Sequence, residues 1–168
     1  VIINFSSCKM KNLKRYYYKN KSISDSLFRK CQKLNFSSES YFIFRKTGTI
    51  YKEIYAMIKK ENTNTYQTIY FSEEGDYLYP DLIKQSEYFL TTESLEFKQV
   101  LKLFIESDYQ TIDTESWGEG IFLGKCSSLK MKKGELGIKF FNNPEGVVEN
   151  KYRKKIDGNV YVEHSIVP

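Results

Sequence analysis

Residues 41–72 alternate between apolar and other side chains with a period of two, and this pattern constrains the fold more than any other feature. The alternation starts at Tyr41, passes a turn at Thr47-Gly48 and a polar cluster at residues 61–64, and ends in a segment rich in Thr, Tyr and Ile. Successive side chains of a strand point to opposite faces of a sheet, so the alternation places apolar side chains on one buried face. The segment therefore predicts a three-stranded antiparallel meander.

The last third of the chain predicts further strands. Strand-like runs separated by glycine-containing turns cover Gly120–Gly124, Ser127–Met131 and Glu135–Phe141. Asp157-Gly158 then lies between two more such runs. An Asp-Gly pair suits a type I′ turn, because both central residues of that turn have positive φ. A terminal β-hairpin with Asp157-Gly158 as its turn is therefore predicted.

Two segments have the apolar spacing of helices. In residues 25–34 apolar side chains recur every three or four positions after Ser24, and in residues 94–106 they do so after Ser94. Serine is a favoured N-cap, because its hydroxyl accepts a hydrogen bond from a free backbone N–H of the first turn. We therefore predict two helices, each preceded by a capping serine.

Together these elements predict an α+β fold in a single domain that spans residues 23–168. The chain has 168 residues, enough for one core, and its 14 Tyr and 12 Phe favour a sheet over a helical bundle. We expect a mainly antiparallel sheet of about eight strands, barrel-like or strongly curved, with about two helices.

The segment ahead of this domain is basic and aromatic. Residues 9–22 carry six basic side chains, no acidic one and the three consecutive tyrosines Tyr16–Tyr18. Such a composition can contact phospholipid or nucleic acid, and it also suits a spacer between an anchor and a domain. We interpret the segment as a basic tether, with Tyr16–Tyr18 leading into the first strand.

The start of the chain has the pattern of an export signal. An apolar run, interrupted by Asn4, is followed by Phe5-Ser6-Ser7-Cys8. This pattern of an apolar residue, two small residues and a cysteine resembles the lipobox of bacterial lipoproteins. The resemblance implies lipid attachment at Cys8 and a lipid-anchored location in the cell envelope, on the periplasmic side of a membrane.

Residues 1–22 are on this interpretation a signal-peptide remnant, a lipid anchor and a tether. The alternative is that residues 1–7 form an edge strand or a leader ahead of an internal start at Met10, which would leave the protein in the cytoplasm.

The cysteines extend the argument about location. The chain has three, Cys8, Cys31 and Cys126. If Cys8 carries a lipid in an oxidising compartment, Cys31 and Cys126 are left to pair as a disulfide, whereas all three stay reduced in a cytosol. No Cys or His spacing typical of a metal site occurs, and no cofactor-binding motif is complete, so neither a metal nor a cofactor is predicted.

Charge is distributed unevenly along the sequence. Residues 1–60 carry 14 basic and 3 acidic side chains, residues 61–122 carry 3 and 13, and residues 123–168 carry 9 and 5. The acidic middle can neutralise both basic ends in the folded state, or the basic segments can face an anionic partner. We expect a membrane contact through the lipid anchor, and we do not expect nucleic acid as a partner.

The best candidate site is an acidic segment around the single tryptophan. Asp113, Glu115 and Glu119 surround Trp117 within seven residues. Such a group can contact a ligand or partner, hold a hard cation or flank a sugar stacked on the indole, and it can equally be a solvated loop. The only histidine, His164, lies close to Pro168 and is expected at the surface.

These observations favour a non-catalytic binding module that holds a protein or glycan partner on an exposed, tyrosine-rich sheet. Two alternatives stay open. One is a small envelope enzyme that uses the carboxylates of Asp113, Glu115 and Glu119, and the other is an immunity-type protein that neutralises a toxin.

Overall fold

A computed structural model describes residues 10–34, 40–47, 53–60, 65–114, 119–128 and 134–166. The helices are α1 (Met10–Lys19), α2 (Lys21–Cys31), α3 (Pro80–Lys84), α4 (Phe89–Glu93) and α5 (Leu95–Glu106). The strands are β1 (Ser40–Thr47), β2 (Glu53–Lys60), β3 (Tyr66–Phe71), β4 (Thr111–Thr114), β5 (Gly120–Ser128), β6 (Gly134–Phe141), β7 (Arg153–Asp157) and β8 (Val160–Ile166).

The eight strands form one antiparallel sheet in the order β3-β2-β1-β4-β5-β6-β8-β7. The predicted α+β class with a mainly antiparallel sheet of about eight strands is confirmed. Within the described residues, β3 and β7 each pair on one side only, so the sheet is open and the barrel-like form is not adopted.

The meander predicted for residues 41–72 is present as β1, β2 and β3. Phe44 lies opposite Ala56, which in turn lies opposite Ile69, and all three side chains are buried. Directly opposed residues share a face of the sheet, so this row confirms the face that the alternation predicted to be buried.

Helix α5 also follows the prediction. It begins directly after Ser94, whose hydroxyl accepts a hydrogen bond of 3.2 Å from the backbone N–H of Phe97. Helix α2 begins earlier than predicted, at Lys21, so Ser24 lies inside the helix and is not its N-cap. The described chain has five helices where two were expected, because α1, α3 and α4 were not predicted.

The interpretation of residues 9–22 as a spacer is wrong for the described part of that segment. Residues 10–19 form α1, whose Leu13 and Tyr17 are buried in the core. The ring of Tyr17 packs against Phe140 of β6 at 6.1 Å between centroids. The spacing of four between Leu13 and Tyr17 puts both on one helix face, and burial of that face holds α1 on the sheet.

Two local predictions in the last third need correction. Gly124 does not end a strand: β5 runs on to Ser128 with an irregularity at Lys125, so the first two residues of the strand predicted for Ser127–Met131 belong to β5, and the other three lie outside the described residues. The terminal hairpin is confirmed as β7 and β8, but Asp157 pairs with Val160, so the central residues of its turn are Gly158 and Asn159. Gly158 has the positive φ of +41° that such a turn requires.

Aromatic side chains join the helices to one face of the sheet. Phe97 of α5 contacts Phe44 and Phe71, with ring centroids 5.2 and 6.0 Å apart. Phe28 of α2 stacks on Phe140 at 4.7 Å. We call this side the core face and the opposite side of the sheet the outer face.

The longest helix of the described residues is α5, with 12 residues. None of the helices in this part of the chain combines the length and the hydrophobicity that crossing a bilayer requires.

Candidate functional site

The structure describes only part of the acidic segment predicted as a site. Asp113 lies in β4 opposite Phe122, on the outer face, whereas Glu119 is exposed just before β5. Glu115 and Trp117 lie outside the described residues. Of the two described acids, Asp113 lies within the sheet and Glu119 lines a groove beside β7.

The outer face around β5, β6 and β8 is polar yet well packed. Lys139 is fully buried there, with its Nζ 5.3 Å from the centroid of the Phe141 ring. Arg153 lies over the same ring at 4.8 Å and forms an ion pair with Glu163. Long side chains and aromatic rings thus cover one another on this half of the outer face.

Two glycines leave room on the sheet for the side chains of Glu135 and Phe122. A Cβ at Gly124 would come within 2.4 Å of Glu135 Oε1, and a Cβ at Gly137 would come within 2.7 Å of Phe122 Cζ. The Glu135 carboxylate is held in place because it accepts a hydrogen bond of 2.6 Å from Thr111. This arrangement supports packing and leaves the neighbouring groove as the accessible feature.

The groove beside β7 has a volume of about 530 Å³. Its lining includes Glu119, Asn143, Glu145, Val148, Asn150 and Arg153. The cation of Arg153 is already paired with Glu163, so the groove offers a mixture of carboxylates, amides and small apolar groups. Such a lining can hold a polar ligand without favouring one charge.

A different surface carries exposed aromatic and apolar side chains. At the β3 side of the sheet we define the tyrosine edge as Tyr55, Tyr70, Leu78, Tyr79 and Leu82. Tyr55 lies directly opposite Tyr70 with ring centroids 6.0 Å apart, and Tyr79 meets Tyr70 edge to face at 5.9 Å. The exposed fractions are 58% for Tyr79 and 69% for Leu82, so these groups remain open to a partner.

The segment after β3 positions Tyr79. The chain reverses direction after Ser72 in a turn, where the backbone N–H of Ser72 donates to the carbonyl of Asp76. The N–H of Leu78 then donates to the carbonyl of Tyr70 at 3.0 Å. Tyr77 is fixed at the core side, because its hydroxyl donates to Thr92 at 2.9 Å. Pro80 follows at the first position of α3, which ends the extended segment at Tyr79.

A small apolar hollow of about 180 Å³ opens beneath this edge. It lies between β3 and α3, and its lining includes Ile69, Tyr70, Tyr77, Tyr79, Leu82 and Ile83. A hollow of this size and chemistry fits a single apolar side chain, as at the centre of a protein interface.

Acidic side chains surround the tyrosine edge. Residues 65–97 contain seven acidic residues and one basic residue, Lys84. Exposed acids near the edge include Glu73, Glu74, Asp76, Asp81 and Glu87. The Lys84 ammonium lies 3.9 Å from Asp81, which leaves the rim strongly negative. The acidic middle of the sequence is therefore concentrated around an apolar patch.

Among the described residues Cys31 carries a free thiol, and its pairing with Cys126 stays a prediction, because the side chain of Cys126 lies outside them. Its side chain lies in the core, and burial raises the pKa of the thiol. The side chain of Cys126 and the whole of Cys8 lie outside the described residues, so lipid attachment at Cys8 stays a prediction.

His164 is buried, although its position near the end of the chain predicted a surface residue. It lies in β8, which pairs with β6 as far as Ile166, and its ring lies 5.8 Å from that of Tyr152. Its ring nitrogens make no hydrogen bond to the described residues. Elsewhere in this part of the chain, no three His, Cys, Asp or Glu side chains are grouped closely enough to hold a metal ion.

None of the protein-family models, curated proteins or solved structures compared with this chain matches it. The function therefore has to be argued from the surface of the protein itself. A tyrosine-rich contact surface was predicted from the sequence, but the tyrosine edge was not; its signal in the sequence is the run of Tyr77, Leu78 and Tyr79 between acidic residues.

Proposed function

We propose that the protein is a non-catalytic binding protein of the cell envelope, anchored by a lipid on Cys8, that holds a partner protein on the tyrosine edge. The observation that carries the binding function is the contact of two exposed rings, Tyr70 and Tyr79, above an apolar hollow. The support for the anchor is the sequence Phe5-Ser6-Ser7-Cys8.

Exposed tyrosines suit binding for a physical reason. Each ring presents a large contact area and has few rotatable bonds, so little conformational entropy is lost when it is immobilised. Here the rings of Tyr55, Tyr70 and Tyr79 already constrain one another, which lowers that loss further. A patch of this kind on a folded domain marks an interaction site.

The geometry favours a protein over a glycan. A sugar stacks on a flat, accessible ring face, but Tyr70 and Tyr79 meet edge to face at an interplanar angle of 87°, so the edge of one ring covers a face of the other. Leu78 and Leu82 add apolar contacts of the kind that a protein side chain makes. The acidic rim further predicts a partner with basic residues around an apolar centre, and a toxin of that chemistry would make the protein immunity-type.

Site-specific photo-crosslinking in bacterial cells that make the full precursor tests this proposal. A benzophenone amino acid in place of Tyr79 should give an adduct of defined size with one envelope protein. The same probe in place of Tyr18, exposed on α1, is the matched control and should not give that adduct. Equal adducts from both positions, or none from Tyr79, would contradict the proposed surface.

The captured protein, once purified, allows a quantitative measurement. Tyr70→Ala should raise the Kd for the captured protein by a factor of ten or more, as expected for an aromatic residue at an interface centre. Asp81→Lys should weaken binding mainly at low salt. The anchor is tested separately: labelled fatty acid should enter the parent precursor and should not enter Cys8→Ser.

A further inference from the structure

Helix α1 presents its basic residues to solvent. We define the cationic face as Lys11, Lys14, Arg15 and Lys19, all of which are exposed. At 100° per residue these four positions fall within about 140° of one another, on the side opposite the buried Leu13 and Tyr17. The helix therefore packs with one side and offers the other as a positive surface.

Among the described residues, direct ion pairs do not neutralise the charges of this face. Within the part of the chain that the structure describes, no side chain forms a salt bridge with Lys11, Lys14, Arg15 or Lys19. Residues 9–22 contain no acid. The acidic middle of the sequence therefore does not compensate this basic segment through direct pairs, and an external anion is the remaining counterpart.

The cationic face continues toward β7. The hydroxyl of Tyr18 donates to the carbonyl of Ile156 at 3.2 Å, and Lys21 forms a salt bridge of 2.8 Å with Asp157. Lys154 of β7 is exposed and lies opposite Val162, which places it on the side of the sheet where α1 packs. Helix α1 and β7 thus form one positive corner of the molecule.

We propose that this corner lies on the anionic headgroups of a phospholipid bilayer and orients the protein at the membrane. The inference rests in part on the proposed function, because the lipid would be attached at Cys8, two residues before Met10. Two extended residues span at most about 7 Å, so a lipid on Cys8 keeps the start of α1 within reach of the headgroups.

The sheet order places the tyrosine edge far from this corner. The edge belongs to β3 and the cationic corner to β7, which stand at opposite ends of the eight-stranded sheet. Seven strand spacings correspond to roughly 33 Å. With the corner on the bilayer, the partner-binding surface would point away from the membrane.

Vesicle sedimentation with the non-lipidated chain tests the proposal. The chain should bind vesicles of 30% phosphatidylglycerol in phosphatidylcholine, not bind pure phosphatidylcholine, and dissociate as salt is raised. Each exposed cation near an anionic bilayer strengthens partitioning by about fivefold. The triple variant Lys11→Gln, Lys14→Gln and Lys19→Gln should therefore bind about 100-fold more weakly.

A matched variant controls for net charge. Lys84→Gln, Lys98→Gln and Lys102→Gln remove the same charge from exposed lysines on α3 and α5 and should leave vesicle binding within about twofold of the parent. Unchanged thermal unfolding of both variants would show that the fold is retained. Equal losses from both variants, or no preference for anionic vesicles, would overturn the proposal.

Two further outcomes separate this inference from others. Tighter binding to a duplex DNA oligonucleotide than to anionic vesicles, lost in the α1 variant, would overturn the membrane assignment in favour of nucleic acid. Vesicle binding by the chain without fatty-acid labelling of Cys8 in cells would support the cationic corner and remove the proposed anchor. Labelling without vesicle binding would do the reverse.

Discussion

Burial of tyrosine hydroxyls gives the protein a specific sensitivity to alkali. Burial, and next the nearby charge of Asp108, raises the pKa of Tyr16 to about 12, and burial raises that of Tyr77 to about 12. The pKa values of Tyr17 and Tyr109 are also raised, mainly by burial. The folded state therefore resists ionisation that the unfolded chain undergoes near pH 10.

Ionisation of these tyrosines should not change the stability of the protein below pH 10, and it should lower the stability between pH 10 and pH 12. In that range the unfolded chain loses phenolic protons and the folded protein keeps them, so deprotonation favours unfolding. Tyr16→Phe should reduce the fall, as measured by the free energy of urea unfolding at several pH values. Tyr79→Phe, at an exposed position, should not, and an equal effect of both would contradict the assignment.

Long-range contacts explain why some side chains were misjudged from the sequence. Ser24 was predicted as an N-cap, but its hydroxyl lies 2.7 Å from that of Tyr109 in the core. The partner is 85 positions away, and local pattern contains no information about it. The burial of Cys31 likewise depends on how α2 packs and cannot be found from the local sequence.

Among the elements, those specified by local chemistry were predicted and those specified by packing were not. Alternation predicted β1 to β3, and a capping serine predicted α5. Helix α1 was missed because its composition is that of a basic spacer, and only the Leu13 and Tyr17 pair indicated a buried face. The acidic segment was treated as one site because its residues are close in sequence; in the structure Asp113 lies within β4, whereas Glu119 comes just before β5.

Replacing the cap of α5 should destabilise the protein by about 1 kcal/mol. Ser94→Ala removes the acceptor for the Phe97 N–H and the donor to the carbonyl of Thr91, which lies 2.6 Å away. The free energy of unfolding in urea measures the loss. Ser94→Asp keeps an acceptor and should recover most of it, whereas Lys102→Ala, exposed on the same helix, should change little. A cost for Lys102→Ala as large as that for Ser94→Ala would point to the helix as a whole and not to its cap.

Across the whole molecule, the uneven charge of the sequence becomes a separation in space. Acidic side chains collect around the tyrosine edge at β3, and the cationic face of α1 stands beside β7. The counts of basic and acidic residues along the chain indicated that the charges could separate in the folded protein, but they did not indicate where each charge would lie. The position follows from the packing of α1 on β6 and β8, which brings the basic beginning of the described chain next to its basic end.

Contact between the two ends of the described chain also limits when their tertiary packing can form during synthesis. Tyr17 packs on Phe140 and Tyr18 donates a hydrogen bond to Ile156, so the sheet surface that α1 joins is incomplete until β6 and β7 have been made. The meander of β1 to β3 can form earlier from neighbouring residues. Loop closure over more than 100 residues is slow compared with local pairing. Helix α1 therefore completes its packing on the sheet only after β6 and β7 have been synthesised.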